Sequence, residues 1–286
     1  MIALFDIGGT KTRIATTMDF KKFGAPAVFE TPKRFSDALA MYASHLRELS
    51  KESAITGVVV GIRGPLIPDK STIASETILT DWVLRPIRDE LSNLCGGVKV
   101  YLENDTALVG LGEAHFGAGQ GHDIIAYHTV STGVGGVRIV HGAIDEAHTG
   151  FEPGHQVIDI DATVGHYGET TLEELISGTA IEKRFGKKPF EISQGDPLWD
   201  ELAKYFAIGL KNTILYWSPD VIVLGGSMVV GVPRILLSDI DRHLRDLMGT
   251  TFPALPALKD ATLKNLGGLY GAMVVAEKKF VDFTEM

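Results

Sequence analysis

Cysteine is almost absent from this 286-residue chain: Cys95 stands alone, so no intramolecular disulfide can form and no site built from several thiolates is available. Long apolar runs are missing too. No window approaches 18 consecutive apolar residues, and the opening MIALFDIGGT places an acid at position 6 with no basic stretch before it, which argues against a membrane span and a secretory signal. These absences lead us to expect a cytoplasmic protein. Positive charge is the minority sign, with 27 Lys and Arg against 36 Asp and Glu and a net charge of −9, which argues against nonspecific duplex binding. The common nucleotide loops fail on inspection: no GxxxxGK[ST] occurs, and no GxGxxG opens a helix after a strand.

What is present is an ordinary globular composition, 45% hydrophobic and 22% charged, on a chain about twice the modal domain length. Two domains or one large α/β unit is the expectation. Ile2 to Phe5 and Thr12 to Thr17 read as strands around a tight turn at Gly8 and Gly9. Phe35, Leu39, Tyr42, Leu46 and Leu49 recur at helical spacing, with Ser36 or Asp37 as N-cap. Val58 to Ile62 and Val98 to Leu102 read as buried strands, the first ending in Arg63-Gly64-Pro65 and the second in Glu103-Asn104-Asp105. Strand ends are where open α/β sheets collect ligand groups.

The second half repeats the pattern. Asp123 to Val130 is a β run, Ser131 to Gly136 (STGVGG) a glycine turn, and Val137 to Val140 a returning strand. This suggests a duplicated α/β unit. A helix from Leu198 to Trp217, a strand from Val221 to Leu224, a helix opened by Pro233 and a last helix over Leu269 to Lys279 follow. The polar stretch from about Asp145 to Gly168 is too long for a simple connection and reads as a functional loop.

The 32 glycines cluster after strands, at Gly8-Gly9, Gly133 to Gly136 and Gly225-Gly226. Glycine lets successive backbone amides approach an anion, so these turns are candidate phosphate nests, although each alone is equally a hairpin turn. Asp6 is placed to hold a hydrated Mg²⁺ near such phosphates. Asp105, directly after a strand and before a helix beginning near Thr106, suits a general base projecting from a rigid strand end. It suits an N-cap aspartate equally well, and spacing alone leaves both open.

These segments together resemble the ROK family (repressors, open reading frames and sugar kinases) of the actin-like and hexokinase-like ATPase superfamily. DIGGTKT at Asp6 to Thr12 is similar to the family's first phosphate loop, ENDTALVGLGE at Glu103 to Glu113 to its catalytic segment and STGVGG to its second phosphate loop. EPGH at Glu152 to His155 matches its E-x-G-H signature, LEELISG at Leu172 to Gly178 a segment with a further sugar-binding glutamate, and PDVIVLGGS at Pro219 to Ser227 the adenosine-binding segment. The resemblance implies an α/β protein of two actin-like (ribonuclease H-like) lobes with a cleft between them, 1–115 and 116–286, the last helix (about 269–280) being a candidate to pack back on the first lobe.

It implies an ATP- and Mg²⁺-dependent sugar kinase acting on the primary hydroxyl of a hexose such as glucose, fructose or an amino sugar, with Asp105 as base. Sugar contacts fall to Gly64, Asn104, Asp105, Glu152, His155 and Glu173. ATP and phosphate contacts fall to Asp6, Gly8, Gly9, Thr10, Lys11, Thr132, Gly133, Gly135, Gly225, Gly226 and Ser227. A homodimer is the expected assembly. The family's repressors carry a helix-turn-helix region ahead of the first phosphate loop, and with five residues before Asp6 a DNA-binding repressor is not expected. A catalytically silent sugar or ATP sensor on the same fold is the alternative.

The resemblance breaks at two places. Most family members carry a zinc loop, C-x-C-x₄-C, with the E-x-G-H histidine as fourth ligand; here the cysteine positions hold Val164, His166 and Thr171. His155 and His166 with Asp159 or Asp161 are a poorer donor set, since structural zinc favours four N or S ligands. Arg63 stands where many members have proline or another small residue; it could approach a substrate anion or pair with a carboxylate of the chain, and the second is expected because such pairs are common. Elemental analysis of the pure protein is expected to find no stoichiometric zinc, and about one zinc per chain would contradict this reading.

Overall fold

The computed structural model describes residues 1–51, 53–145, 147, 150–159 and 170–281. Two compact units divide the chain, one made of Met1–His115, Glu146–Gly150 and Asn265–Met286, the other of Phe116–Asp145 and Phe151–Lys264.

In the first unit β1 (Ile2–Ile7), β2 (Lys11–Thr17) and β3 (Ala27–Glu30) form an antiparallel meander, followed by α1 (Phe35–Ser50), β4 (Gly57–Ile62), α2 (Ile87–Leu94), β5 (Lys99–Asn104) and α3 (Asp105–Phe116). The sheet order is β3-β2-β1-β4-β5, with β4 parallel to both β1 and β5. IALFDI and GVVVGI are buried at every position, as expected for central strands covered on both faces. Their Phe5 and Val60 share a core with Ile14, Tyr42, Ile73 and Trp82. The buried face of α1 is Phe35, Ala38, Tyr42 and Leu46. Its expected caps, Ser36 and Asp37, fall inside the helix; the Phe35 amide instead donates to Asp81 Oδ2 at 2.9 Å, a cap supplied from 46 residues away.

In the second unit come β6 (Ile124–Val130), β7 (Val134–Val140), β8 (Ala143–Ile144), β9 (Val157–Asp159), β10 (Thr170–Thr171), α4 (Leu172–Ile176), α5 (Gly178–Phe185), α6 (Leu198–Trp217), β11 (Val221–Gly225), α7 (Ser227–Val230), α8 (Leu237–Met248) and β12 (Ala257–Asp260). Its main sheet runs β12-β11-β6-β7-β8, and the orientations match the first sheet strand for strand: two antiparallel pairs, then two parallel ones. The duplication expected from two glycine turns is therefore a repeated topology. The α8 helix begins at Leu237 rather than Pro233, because the Arg234 amide donates to Gln194 Oε1 (2.7 Å) and the Ile235 amide to Met228 O (2.8 Å), which ties that stretch elsewhere. The stretch expected to be a functional loop falls largely on residues 146, 148–149 and 160–169, outside the described ones.

The last helix, α9 (Gly267–Phe280), belongs to the first unit, where it packs on β1 and β4. Glycines set its approach to α3: a Cβ on Gly271 would lie 1.8 Å from Leu108 O, and one on Gly112 would lie 2.4 Å from Gly267 O. Backbone meets backbone there. Gly271→Ala is expected to lower stability by roughly 3 kcal/mol, the upper part of the overpacking range, read as a fall in the urea midpoint. An unchanged midpoint would show that the two helices part without strain.

Candidate functional site

The parallel register pairs Ile7 with Ile62 and Ile62 with Asn104. The residues that follow, Gly8, Arg63 and Asp105, therefore leave three neighbouring strand ends side by side. The turn after β1 is closed by donation from the Gly8 amide to Lys11 O (3.0 Å), and it is held from outside: Thr31 Oγ1 donates to Gly8 O (2.7 Å) and Lys33 Nζ to Gly9 O (2.8 Å). Thr10 and Lys11 are exposed at its tip.

At the end of β5 the two readings of Asp105 separate. The residue that caps α3 is Asn104, whose Oδ1 accepts from the Ala107 amide at 3.1 Å while its Nδ2 donates to Gly64 O at 3.3 Å. Asn104 thus ties the end of β5 to the loop after β4. Asp105 starts the helix itself, with Oδ1 accepting from the Thr106 amide at 2.7 Å. Gly64 is required by its φ of +98° and by crowding, since a Cβ there would meet Ser75 O at 2.9 Å.

Asp6, near the end of β1, is buried and takes an ion pair from Arg13 Nη1 at 3.1 Å, its partner across the β1–β2 register. Burial pushes its carboxyl up to about 6; Arg13 opposes the shift, and the nearby Asp105 charge adds to it. The start of α9 closes over Asp6, where a Cβ on Gly268 would fall 2.8 Å from its Cγ. Asp105 is likewise raised above the ordinary carboxylate range by burial, with the Thr106 amide and Arg63 lowering it and Glu76 raising it. Arg63 pairs with the buried Glu76, Nε lying 3.0 Å from Oε2, as the sequence led us to expect.

The second unit gathers the other candidates. Its glycine turn is shorter than the sequence suggested: β7 already starts at Val134, and Gly135 lies within that strand opposite Thr129. Glu173 sits directly on the turn, its Oε2 accepting from the Val134 amide at 2.7 Å, where a Cβ on Gly133 would collide with the same oxygen. The EPGH segment packs on the turn as well, Gly154 lying so close to Val134 that a Cβ would come within 2.3 Å of its carbonyl oxygen. Glu152, His155 and Thr132 are exposed. Gly225 and Gly226 bring the end of β11 against β6, with a Cβ on Gly226 falling 2.2 Å from Val130 O, and Ser227 Oγ lies 3.1 Å from Ser131 Oγ.

What holds EPGH in place among the described residues is a polar network that sequence reading missed. Gln156 Nε2 donates to Pro153 O (2.8 Å), Asn212 Nδ2 on α6 donates to Gln156 Oε1 (2.7 Å), and the Leu172 amide donates to Gln156 O (2.9 Å). Thr171, at the last of the three family cysteine positions, makes a capping box with Glu174 that starts α4 and presents Glu173. Asp161, Val164 and His166 lie outside the described residues. Among the described residues no group of three or more His, Cys, Asp or Glu is disposed to hold a metal ion, and no helix is long and apolar enough to cross a membrane.

Comparison with known proteins places this geometry. The family model described as the ROK family matches residues 2–279. A glucokinase from Thermotoga maritima is 26% identical over 96% of both chains. Among solved structures, a ROK hexokinase from Thermus thermophilus is 29% identical, with a TM-score of 0.77 and 96% of each chain covered. The fold is also that of a ROK glucokinase from Streptomyces griseus in complex with glucose and AMPPNP, at 24% identity, a TM-score of 0.78 and coverage of 96% and 98%. Xylose repressors from Bacillus spizizenii and Bacillus subtilis are relatives too.

The raised pKa of Asp6 has a measurable consequence. In the ligand-free protein its contribution to stability is fully present below its ordinary value of 3.8 and is lost as pH rises through about 6. That loss amounts to about 3 kcal/mol, two pKa units at about 1.4 kcal/mol each. Urea unfolding of Asp6→Asn is therefore expected to show a flatter stability profile than the wild type between these two pH values. Parallel profiles would mean that Asp6 titrates normally.

Proposed function

The chain belongs to the ROK family, and from that premise we propose that it is an ATP-dependent sugar kinase, transferring the γ-phosphoryl group to the primary hydroxyl of a hexose with Asp105 as general base. The observation that carries this reading is the row of strand ends: a glycine turn, then a carboxylate raised by burial, beside a second buried carboxylate at Asp6. A sugar hydroxyl is a weak nucleophile until its proton is accepted, and a base raised toward the working pH accepts it more readily. Because Asn104 takes over the capping role, the Asp105 carboxylate is available for that proton.

The rest of the reaction rests on positioning and on charge neutralisation. Gly8, Gly9, Thr10 and Lys11 supply amides, a hydroxyl and an ammonium for phosphate oxygens, with Thr132, Gly133, Gly225, Gly226 and Ser227 as the second set. Asp6 fits the role of holding hydrated Mg²⁺, because Arg13 offsets its burial only in part and a cation would offset the remainder. When bound, the ion neutralises charge on the phosphates. Glu173, with one oxygen fixed by the Val134 amide, presents the other to a sugar hydroxyl, and Gly64, Asn104, Glu152 and His155 complete the acceptor set. The kinases among the relatives support this reading. The repressors among them keep a second one in view, a sugar sensor without turnover.

A coupled ADP-release assay over hexoses, amino sugars and ketoses separates the two. The kinase reading expects turnover with at least one sugar and slow ATP hydrolysis without it, whereas saturable sugar binding with no turnover on any of them supports the sensor. Asp105→Ala is expected to lower kcat about a hundredfold or more, within the range for general-base catalysis, with modest change in ATP affinity. A variant that keeps most of its turnover would remove Asp105 as base.

A further inference from the structure

Arg63 is the first residue after β4, the strand that lies between β1 and β5. Neighbouring strands run about 5 Å apart, so Arg63 stands between the first glycine turn and Asp105. Its own amide is fixed by donation to Ile7 O at 3.1 Å. The side chain runs along the turn, with Cδ 3.3 Å from where a Cβ on Gly9 would stand. The head is gripped by Glu76: Nε donates to Oε1 at 3.1 Å and to Oε2 at 3.0 Å. Glu76 is pinned in turn, its side chain 4% exposed and Oε1 accepting from the Thr77 and Ile78 amides at 2.8 and 2.9 Å.

An arginine spent on a surface ion pair commonly meets its carboxylate with the fork of the guanidinium. Here both side-chain hydrogen bonds of Arg63 to described residues leave from Nε, so the four N–H donors of Nη1 and Nη2 have no acceptor among them. The side chain remains 31% exposed. A guanidinium anchored at Nε, with its fork unspent beside a glycine turn, suits the oxygens of a phosphoryl group.

We propose that Arg63 is a further catalytic residue, whose Nη donors bind the γ-phosphoryl group during transfer, and that Glu76 is the positioning residue that fixes the guanidinium. The inference rests on the kinase reading. In the step, the bond from phosphorus to the bridging oxygen of ADP breaks, a bond from the sugar oxygen to phosphorus forms, and the hydroxyl proton passes to Asp105. Arg63 stays protonated throughout. An acidic sugar is a poorer occupant, because its carboxylate would add to the negative charge of Asp105, Glu76 and Asp6.

Three variants of the full chain, Arg63→Gln, Arg63→Lys and Glu76→Gln, test this against the best sugar from the panel. For Arg63→Gln, kcat is expected to fall about a hundredfold or more, within the range for lost transition-state donors, with the sugar KM little changed. Arg63→Lys should recover only a small part, since an ammonium lacks the fork. Glu76→Gln should lower kcat rather than raise KM. The acid limb of the Arg63→Gln kcat profile should move to higher pH, because Asp105 then loses the cation that lowers its pKa while Glu76, Asp6 and Arg13 remain. Calorimetry gives an arm independent of turnover: Arg63→Gln should weaken AMPPNP about tenfold, or about 1.4 kcal/mol, relative to ADP. Near-wild-type kcat, a loss confined to the sugar KM, turnover gained on a uronic acid, or an unchanged AMPPNP-to-ADP ratio would each overturn the role of Arg63. A wild type silent with every sugar would count against the kinase reading instead, leaving the calorimetric arm to decide for Arg63.

Discussion

The in-register parallel pairing of β1, β4 and β5 is the constraint on which the first unit's chemistry depends. Two of these strands are buried along their whole length, so a slip in register would carry apolar side chains out of the core and is strongly disfavoured. With the register fixed, the strands end together. Gly8, Arg63 and Asp105 are brought abreast by a packing requirement that has nothing to do with ligands. The buried carboxylates follow from the same arrangement: Asp6 sits one residue before the end of a fully covered strand, and its raised pKa comes chiefly from that cover.

Close approach at glycines is the second theme. Gly271 against Leu108, Gly268 against Asp6, Gly154 against Val134 and Gly226 against Val130 each leave no room for a Cβ. The first two seat α9 over β1 and on α3, and the last two draw the second unit's loops onto its glycine turn. Gly226, which read as a phosphate-loop glycine, thus has a packing reason to be glycine. The two reasons coincide, because a turn pressed tightly against its neighbours is also one whose amides are held still.

In the second unit, polar side chains hold the EPGH segment among the described residues. Gln156 bonds three ways to Pro153, Asn212 and Leu172, and the Thr171–Glu174 box begins α4 at the residue before Leu172. Such a network fixes a loop through directional hydrogen bonds. Glu173 is aimed by it and then fastened by the Val134 amide.

Much of this was legible in the sequence. Apolar runs marked the central strands, glycine clusters marked the turns after them, and the repeated strand–turn–strand pattern announced the duplicated topology, because these signals depend on residues adjacent in the chain. The order of segments carried the family. Relations across the chain were beyond reach: the cap of α1 comes from Asp81, the start of α8 is displaced by Gln194, and the anchor of EPGH lies on α6. Asp105 shows the division most plainly. Spacing left it as a base or a cap, and only the fold showed that Asn104 takes the cap of α3 while bonding to Gly64. Sequence alone marked the candidate residues and where the chain turns; tertiary structure decided which of them meet, since side chains distant in sequence become neighbours only when strands pair and helices pack.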